Sequence, residues 1–182
     1  MNQYVQKNRA TMALQHQFYL GPFDYEILSL ANICSKQYKL VEYFEYQSHT
    51  LQQEIDSRVA SSRPFTNKEI MSILCSVVLA MSHISKLEMI HYTLSPTDII
   101  IDQDGVCKVL SPTLSEHQFD FNPHPDFYYA PETLKIFKMQ SANNSLTNKS
   151  AVFTLGMTIL SIIHLSPLNH LYNLKTFTLD YE

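Results

Sequence analysis

A chain of 182 residues is long enough for one domain with a real hydrophobic core and too short for two full ones. Apolar residues at 45%, aromatics at 12% and only three glycines exclude a disordered or linker-rich polypeptide. A formal net charge of -4, with no arginine beyond Arg63, argues against a nucleic-acid partner.

Residues 4–20 carry helix formers and no Gly or Pro, with Val5, Met12, Leu14 and Phe18 as a ragged apolar stripe, which predicts a helix ended by Leu20-Gly21-Pro22-Phe23. Two strands follow, Tyr25 to Leu30 and Tyr38 to Tyr46, around the polar turn Cys34-Ser35-Lys36-Gln37. Residues 51–60 form a short helix and Ser61-Ser62-Arg63-Pro64 a linker. Thr66-Asn67-Lys68-Glu69 is a capping box, since its hydroxyl and carboxylate each satisfy a free backbone N–H at a helix start. Ile70, Ile73, Leu74, Val77, Met81 and Ile84 then recur at helical spacing, which extends that helix to about Lys86. Further on, Ile99-Ile100-Ile101 and Val106-Cys107-Lys108-Val109 flank Asp102-Gln103-Asp104-Gly105, a hairpin signal with glycine available for a positive φ. Residues 111–129 are rich in Pro and Asn and show no period, so they read as an exposed irregular segment; Ser111, Thr113, Ser115, Tyr128 and Tyr129 are candidate modification sites by exposure alone.

Cys34, Cys75 and Cys107 are odd in number and widely spaced, so three reduced, mostly buried thiols are expected rather than a disulfide framework or a zinc site. The eight histidines share no ligand spacing, and the neighbours Ser115 and His117 make no triad without a G-x-S-x-G elbow. The first 17 residues lack the apolar core of a signal peptide, and the most apolar run, Val152 to Leu165, is too short to span a bilayer. The expectation is a soluble, cytoplasmic chain without a membrane span.

His91-Tyr92-Thr93-Leu94-Ser95-Pro96-Thr97-Asp98-Ile99-Ile100-Ile101 resembles the catalytic loop and following strand of the protein kinases, H-R-D-L-K-P-x-N-[IL]-L. Around it stand a hinge-like Glu45-Tyr46, the long capped helix, the hairpin, Ala130-Pro131-Glu132 for the family's A-P-E, and Lys149 to Gly156 for its D-[VI]-W-S-x-G helix. Order and spacing carry the resemblance over roughly residues 38 to 165. It implies an α+β, protein kinase-like fold. Residues 1–46 would be a remnant of the small lobe, with one helix and about two strands, and 47–182 a mostly helical, C-terminally truncated large lobe.

What the family's chemistry requires is largely missing at the matching positions. The aspartate that accepts the substrate proton falls at Thr93, which takes no proton near neutral pH; the loop's arginine falls at Tyr92 and its lysine at Ser95. Asp98 stands where a second metal ligand is expected, and Ser111-Pro112-Thr113 replaces D-F-G, so a neutral hydroxyl stands for the main magnesium carboxylate. Asp98 then reads as a loop hydrogen-bonding group, Asp102 and Asp104 as turn residues, and His91 as a packing residue. Neither a glycine-rich loop nor a lysine paired to a helix glutamate is recognisable before the hinge, so no cofactor and no ATP binding are expected. Glu132 lacks the family's arginine partner, and Ala151 replaces the aspartate that holds the loop backbone. The resemblance therefore implies a pseudokinase rather than an enzyme. Its expected role is structural: a scaffold within a larger assembly, cytoskeletal or other. Val152, Phe153, Leu155, Ile159, Ile162 and Ile163 are the candidate interface with other protein subunits, because exposed apolar patches mark such surfaces. The competing reading is a divergent Ser/Thr kinase, using unusual residues or completed by a partner chain.

Overall fold

The computed structural model describes residues 16–32, 35–46, 49–86, 91, 93–110, 128–139 and 147–180. In chain order these form strands β1 (Tyr19–Leu20), β2 (Asp24–Asn32) and β3 (Ser35–Tyr43), helices α1 (Leu51–Ser61) and α2 (Asn67–Ser85), strands β4 (Ile99–Ile101) and β5 (Cys107–Leu110), helices α3 (Pro131–Met139) and α4 (Asn148–His164), and the short strands β6 (Tyr172–Asn173) and β7 (Thr178–Leu179). The class is mixed α+β, as expected.

Both early helices start on capping boxes. At α1, Gln53 N–H donates to the Thr50 hydroxyl at 3.2 Å and Thr50 N–H donates to Gln53 Oε1 at 2.8 Å. At α2, Glu69 N–H donates to Thr66 Oγ1 at 3.3 Å while Thr66 N–H donates to Glu69 Oε2 at 2.7 Å. Buried Ile73, Val77, Ala80 and Ile84 turn one face of α2 to the core, where it packs on β5 and α4. By length and composition α2 would also suffice to cross a bilayer; here that face is occupied by the protein's own strand and helix. Arg58 ties the two helices together. Its guanidinium meets Glu69 Oε1 at 2.7 Å and Oε2 at 3.2 Å, donates from Nε to Glu54 Oε1 at 2.7 Å, and lies 3.9 Å from the centre of the Phe65 ring.

The hairpin β4–β5 pairs Ile99 with Val109 and Ile101 with Cys107. Gly105, at φ +78°, supplies its turn, and Asp102 Oδ1 accepts from the N–H groups of Asp104 and Val106. Burial pushes the Asp102 carboxyl up, but those two N–H groups and Lys108, 3.3 Å away, outweigh it and leave its pKa lowered.

Several expectations need correction. Most of the predicted helix over 4–20 lies outside the described residues, but its end is not helical: β1 runs parallel to β5 and buries Tyr19 and Leu20. That pairing with a strand 90 residues away leaves no local period to read. Ser35, Lys36 and Gln37 belong to strand β3 rather than to the turn, and β3 ends at Tyr43, leaving Glu45 and Tyr46 irregular. Ser61 belongs to α1, whose end is set by Ser62 in the left-handed region at φ 53°. Cys107 is buried, but Cys75 is exposed, and Cys34 lies outside the described residues. Tyr128 and Tyr129 are buried rather than exposed, while Ser111, Thr113, Ser115 and His117 lie outside the described residues.

Helix α3 and the β6–β7 hairpin were not anticipated. Together they form a second apolar cluster, in which Tyr129, Leu134 and Phe137 pack against Tyr172, Leu174, Phe177 and Leu179. Tyr172 Oη accepts from Tyr129 N–H at 3.1 Å, and Tyr128 Oη accepts from Leu168 N–H at 3.3 Å. Rings, not periodicity, hold this segment.

Candidate functional site

Residues 93–98 of the loop are fixed from both sides. Leu94 is fully buried in the main core, and Pro96–Asp98 form one turn of 3-10 helix that delivers the chain into β4. Within that turn Asp98 N–H donates to the Ser95 carbonyl at 3.0 Å. The carboxylate of Asp98 reaches back: its Oδ2 accepts from the Ser95 N–H and from the Ser95 hydroxyl, both at 2.8 Å. Ser95 Oγ also meets Thr97 Oγ1 at 2.7 Å. Asp98 is thus the loop hydrogen-bonding group that the sequence suggested, and one of its oxygens already has two donors.

Thr93 and Ser95, at the proton-acceptor and lysine positions of the loop, are both buried. A threonine hydroxyl offers no basic site at neutral pH wherever it points. Tyr92 and Ser111 lie outside the described residues. His91 is buried as expected, 3% exposed, with Nδ1 making no hydrogen bond. It lies on the wall of a pocket of about 280 Å³ between α2 and α4, shared with Val78, Met81, Ser82, Ala151 and Val152. Among the described residues no three His, Cys, Asp or Glu side chains converge as a metal site.

Helix α4 supports the loop by means the sequence reading missed. Ala151 is buried where an aspartate was expected, and about two turns beyond it Thr158 Oγ1 approaches the Leu94 carbonyl at 3.5 Å while donating to Thr154 O at 3.0 Å. Glu132, which had no arginine to pair with, accepts a hydrogen bond at 2.7 Å from the buried Ser150 hydroxyl. Ser150, Thr154, Thr158 and Ser161 make one buried hydroxyl seam along α4, each at a spacing of three or four. That spacing of small polar residues was the available signal. A serine hydroxyl takes the place of the cation that a carboxylate is expected to pair with.

The candidate interface on α4 divides. Leu155 and Ile162 are core residues, and Ile159 packs against the core, so these three do not form an open surface. Phe153 is half-buried. Val152 and Ile163 are 64% and 55% exposed, and Leu160, not among the expected residues, joins them at 38%. Among the described residues, Val152, Leu160 and Ile163 are the large apolar side chains that α4 leaves exposed.

Comparison with known proteins agrees with this architecture. A dual specificity protein kinase of Dictyostelium discoideum, zak2, is 28% identical in a match covering 57% of this chain and 17% of that kinase. The chain thus corresponds to a small part of the curated relative. A family model described as protein tyrosine and serine/threonine kinase matches residues 3–178, which include the loop, the hairpin and α4. With nearly its whole length matched, the chain belongs to the protein tyrosine and serine/threonine kinase family.

Proposed function

We propose that this chain is a catalytically inactive member of the kinase family that serves as a structural, scaffolding subunit of a larger cytoplasmic protein assembly. The observation that carries the reading is the state of the loop. Its proton-acceptor position is the buried Thr93, and the Asp98 carboxylate at its metal position is engaged by Ser95. Phosphoryl transfer works by positioning and charge stabilisation, and these are the residues that would supply both. Val152, Leu160 and Ile163 are the surface through which α4 contacts another subunit.

The second reading is a divergent protein kinase, favoured by the name of the matched relative and by the preserved backbone frame of the loop. A radiolabelled phosphotransfer assay separates the two. The scaffold reading expects no Mg-ATP-dependent transfer to itself or to a general substrate. Transfer that is abolished in Asp98→Ala, with the helical circular dichroism unchanged, would establish an enzyme instead. Co-purification from the native source tests the partner claim. A complex that survives Val152→Asp and Ile163→Asp together would remove α4 as the interface.

A further inference from the structure

Strand β1 is two residues long, so side chains as well as ladder bonds must hold it. It lies along the edge of β5, where the Val109 N–H donates to the Phe18 carbonyl at 2.9 Å, and it buries Tyr19 and Leu20. A tight turn precedes it, in which Tyr19 N–H donates to the His16 carbonyl at 3.0 Å. That turn sets His16 against the last turn of α2. There the His16 and His83 rings stack, with centroids 4.5 Å apart and planes 21° from parallel, and the Tyr19 ring lies 6.2 Å from His83.

Two bare nitrogens make this a stack of neutral rings. His16 Nδ1 accepts the Phe18 N–H at 3.3 Å, so it carries no proton of its own. His83 Nε2 is buried and makes no hydrogen bond, and a proton there would leave a cationic N–H without an acceptor. The charges that act on His83 are those of His16 and Lys86, both of one sign. Of the ionisable groups on the elements packed against α2, Lys108 of β5 is turned to Asp102 at 3.3 Å. Neither it nor Cys107 of β5, nor Lys149 and His164 of α4, acts on His83, and Glu69 stands at the opposite end of α2. The C-terminal end of a helix favours a cation, but burial first, then His16 and Lys86, hold the His83 imidazole below its ordinary 6.5.

We propose that the His16–His83 stack is an acid-sensitive latch, in which protonation of the rings parts them and releases β1 from β5 and α2. Like charges at this separation repel, and a proton on His16 Nδ1 also displaces the Phe18 N–H. Release uncovers the edge of β5 and the place of Tyr19 in the main core. Because His83 is depressed in the folded state, the latch is fully closed above the ordinary 6.5 and is lost as the pH falls through the folded-state value.

Hydrogen exchange of the full chain, read amide by amide by NMR, tests the latch. The Val109 amide reports β1, and the Asp102 amide, bonded to the Val106 carbonyl at 3.0 Å, reports the β4–β5 hairpin. After correction for intrinsic exchange, Val109 protection should fall several-fold between about pH 7.5 and pH 5.5, with a ceiling of about tenfold for a His83 that titrates at 6.5 once released, while Asp102 keeps its protection. In His16→Phe/His83→Phe, whose rings still stack but take no proton, Val109 protection should be flat over that range. His16→Gln/His83→Gln gives the same readout should the first variant not fold. No fall in the unmodified chain, a fall that persists in the double variant, or equal loosening of Asp102 would each overturn the proposal.

Discussion

Replacing Glu69 by Gln isolates the ion pair that joins α1 to α2. Glutamine keeps the capping box, since its amide oxygen still accepts the Thr66 N–H, but it removes the charge that faces Arg58. The Arg58 guanidinium first, and the Thr66 N–H and hydroxyl after it, hold the Glu69 carboxyl down at about 2 from an ordinary 4.5. At about 1.4 kcal/mol per pH unit, that span sets an upper bound of about 3 kcal/mol. The Glu69 side chain is 35% exposed, so solvent screening cuts the bound to about 1–2 kcal/mol. Arg58 keeps Glu54 at 2.7 Å in the variant, which limits the loss further. Because the folded-state value is depressed, the stabilisation is complete above the unfolded value near 4.5. It is lost as the pH falls from there toward about 2. Urea melts of both proteins should therefore differ by about 1–2 kcal/mol at pH 7, draw together below pH 4.5 and converge only at about pH 2 and below. A difference that stays constant with pH, or none at pH 7, would refute the assignment of the clamp to charge.

Three further outcomes follow from the structure. Gly105→Ala should cost about 1–2 kcal/mol in a thermal melt although nothing lies within 4 Å of the added methyl, because φ +78° is strained for any residue with a Cβ. In the folded chain at pH 8 iodoacetamide should alkylate Cys75 and spare Cys107, whose thiol burial pushes up to about 11; mass spectrometry of Cys107 labelled at the Cys75 rate would contradict the packing of β5. A double-mutant cycle of Ser150→Ala and Glu132→Gln should return a coupling of about 1 kcal/mol, and additivity would show that the bond at 2.7 Å does not hold α3 to α4.

The parts of the fold written in local chemistry were legible in advance. The Thr66 and Glu69 pair, the apolar period of α2 and the Asp102 to Gly105 turn each depend on residues within a few positions of one another, and each stands where the sequence placed it. Contacts between distant segments were not legible. Tyr19 and Leu20 become a strand because β5 is beside them, and Tyr172 acquires its place from Tyr129, 43 residues earlier. Within the site, the residue types that decide chemistry could be read directly, because Thr93 and Ser95 are what they are in any fold. The role of Asp98 as a hydrogen-bond acceptor for Ser95 was foreseen, whereas the division of α4 into buried Leu155 and Ile162 and exposed Val152 and Ile163 required the packing. An apolar run names a helix that buries something. Which side it buries is a property of the whole molecule.

The proposed function requires a kinase fold that does not bind nucleotide. Calorimetric titration of the folded chain with Mg-ATP to low-millimolar concentration tests this most directly. The account predicts no saturable heat and no shift of the melting temperature with nucleotide. A saturable, magnesium-dependent heat accompanied by a rise in melting temperature would contradict it.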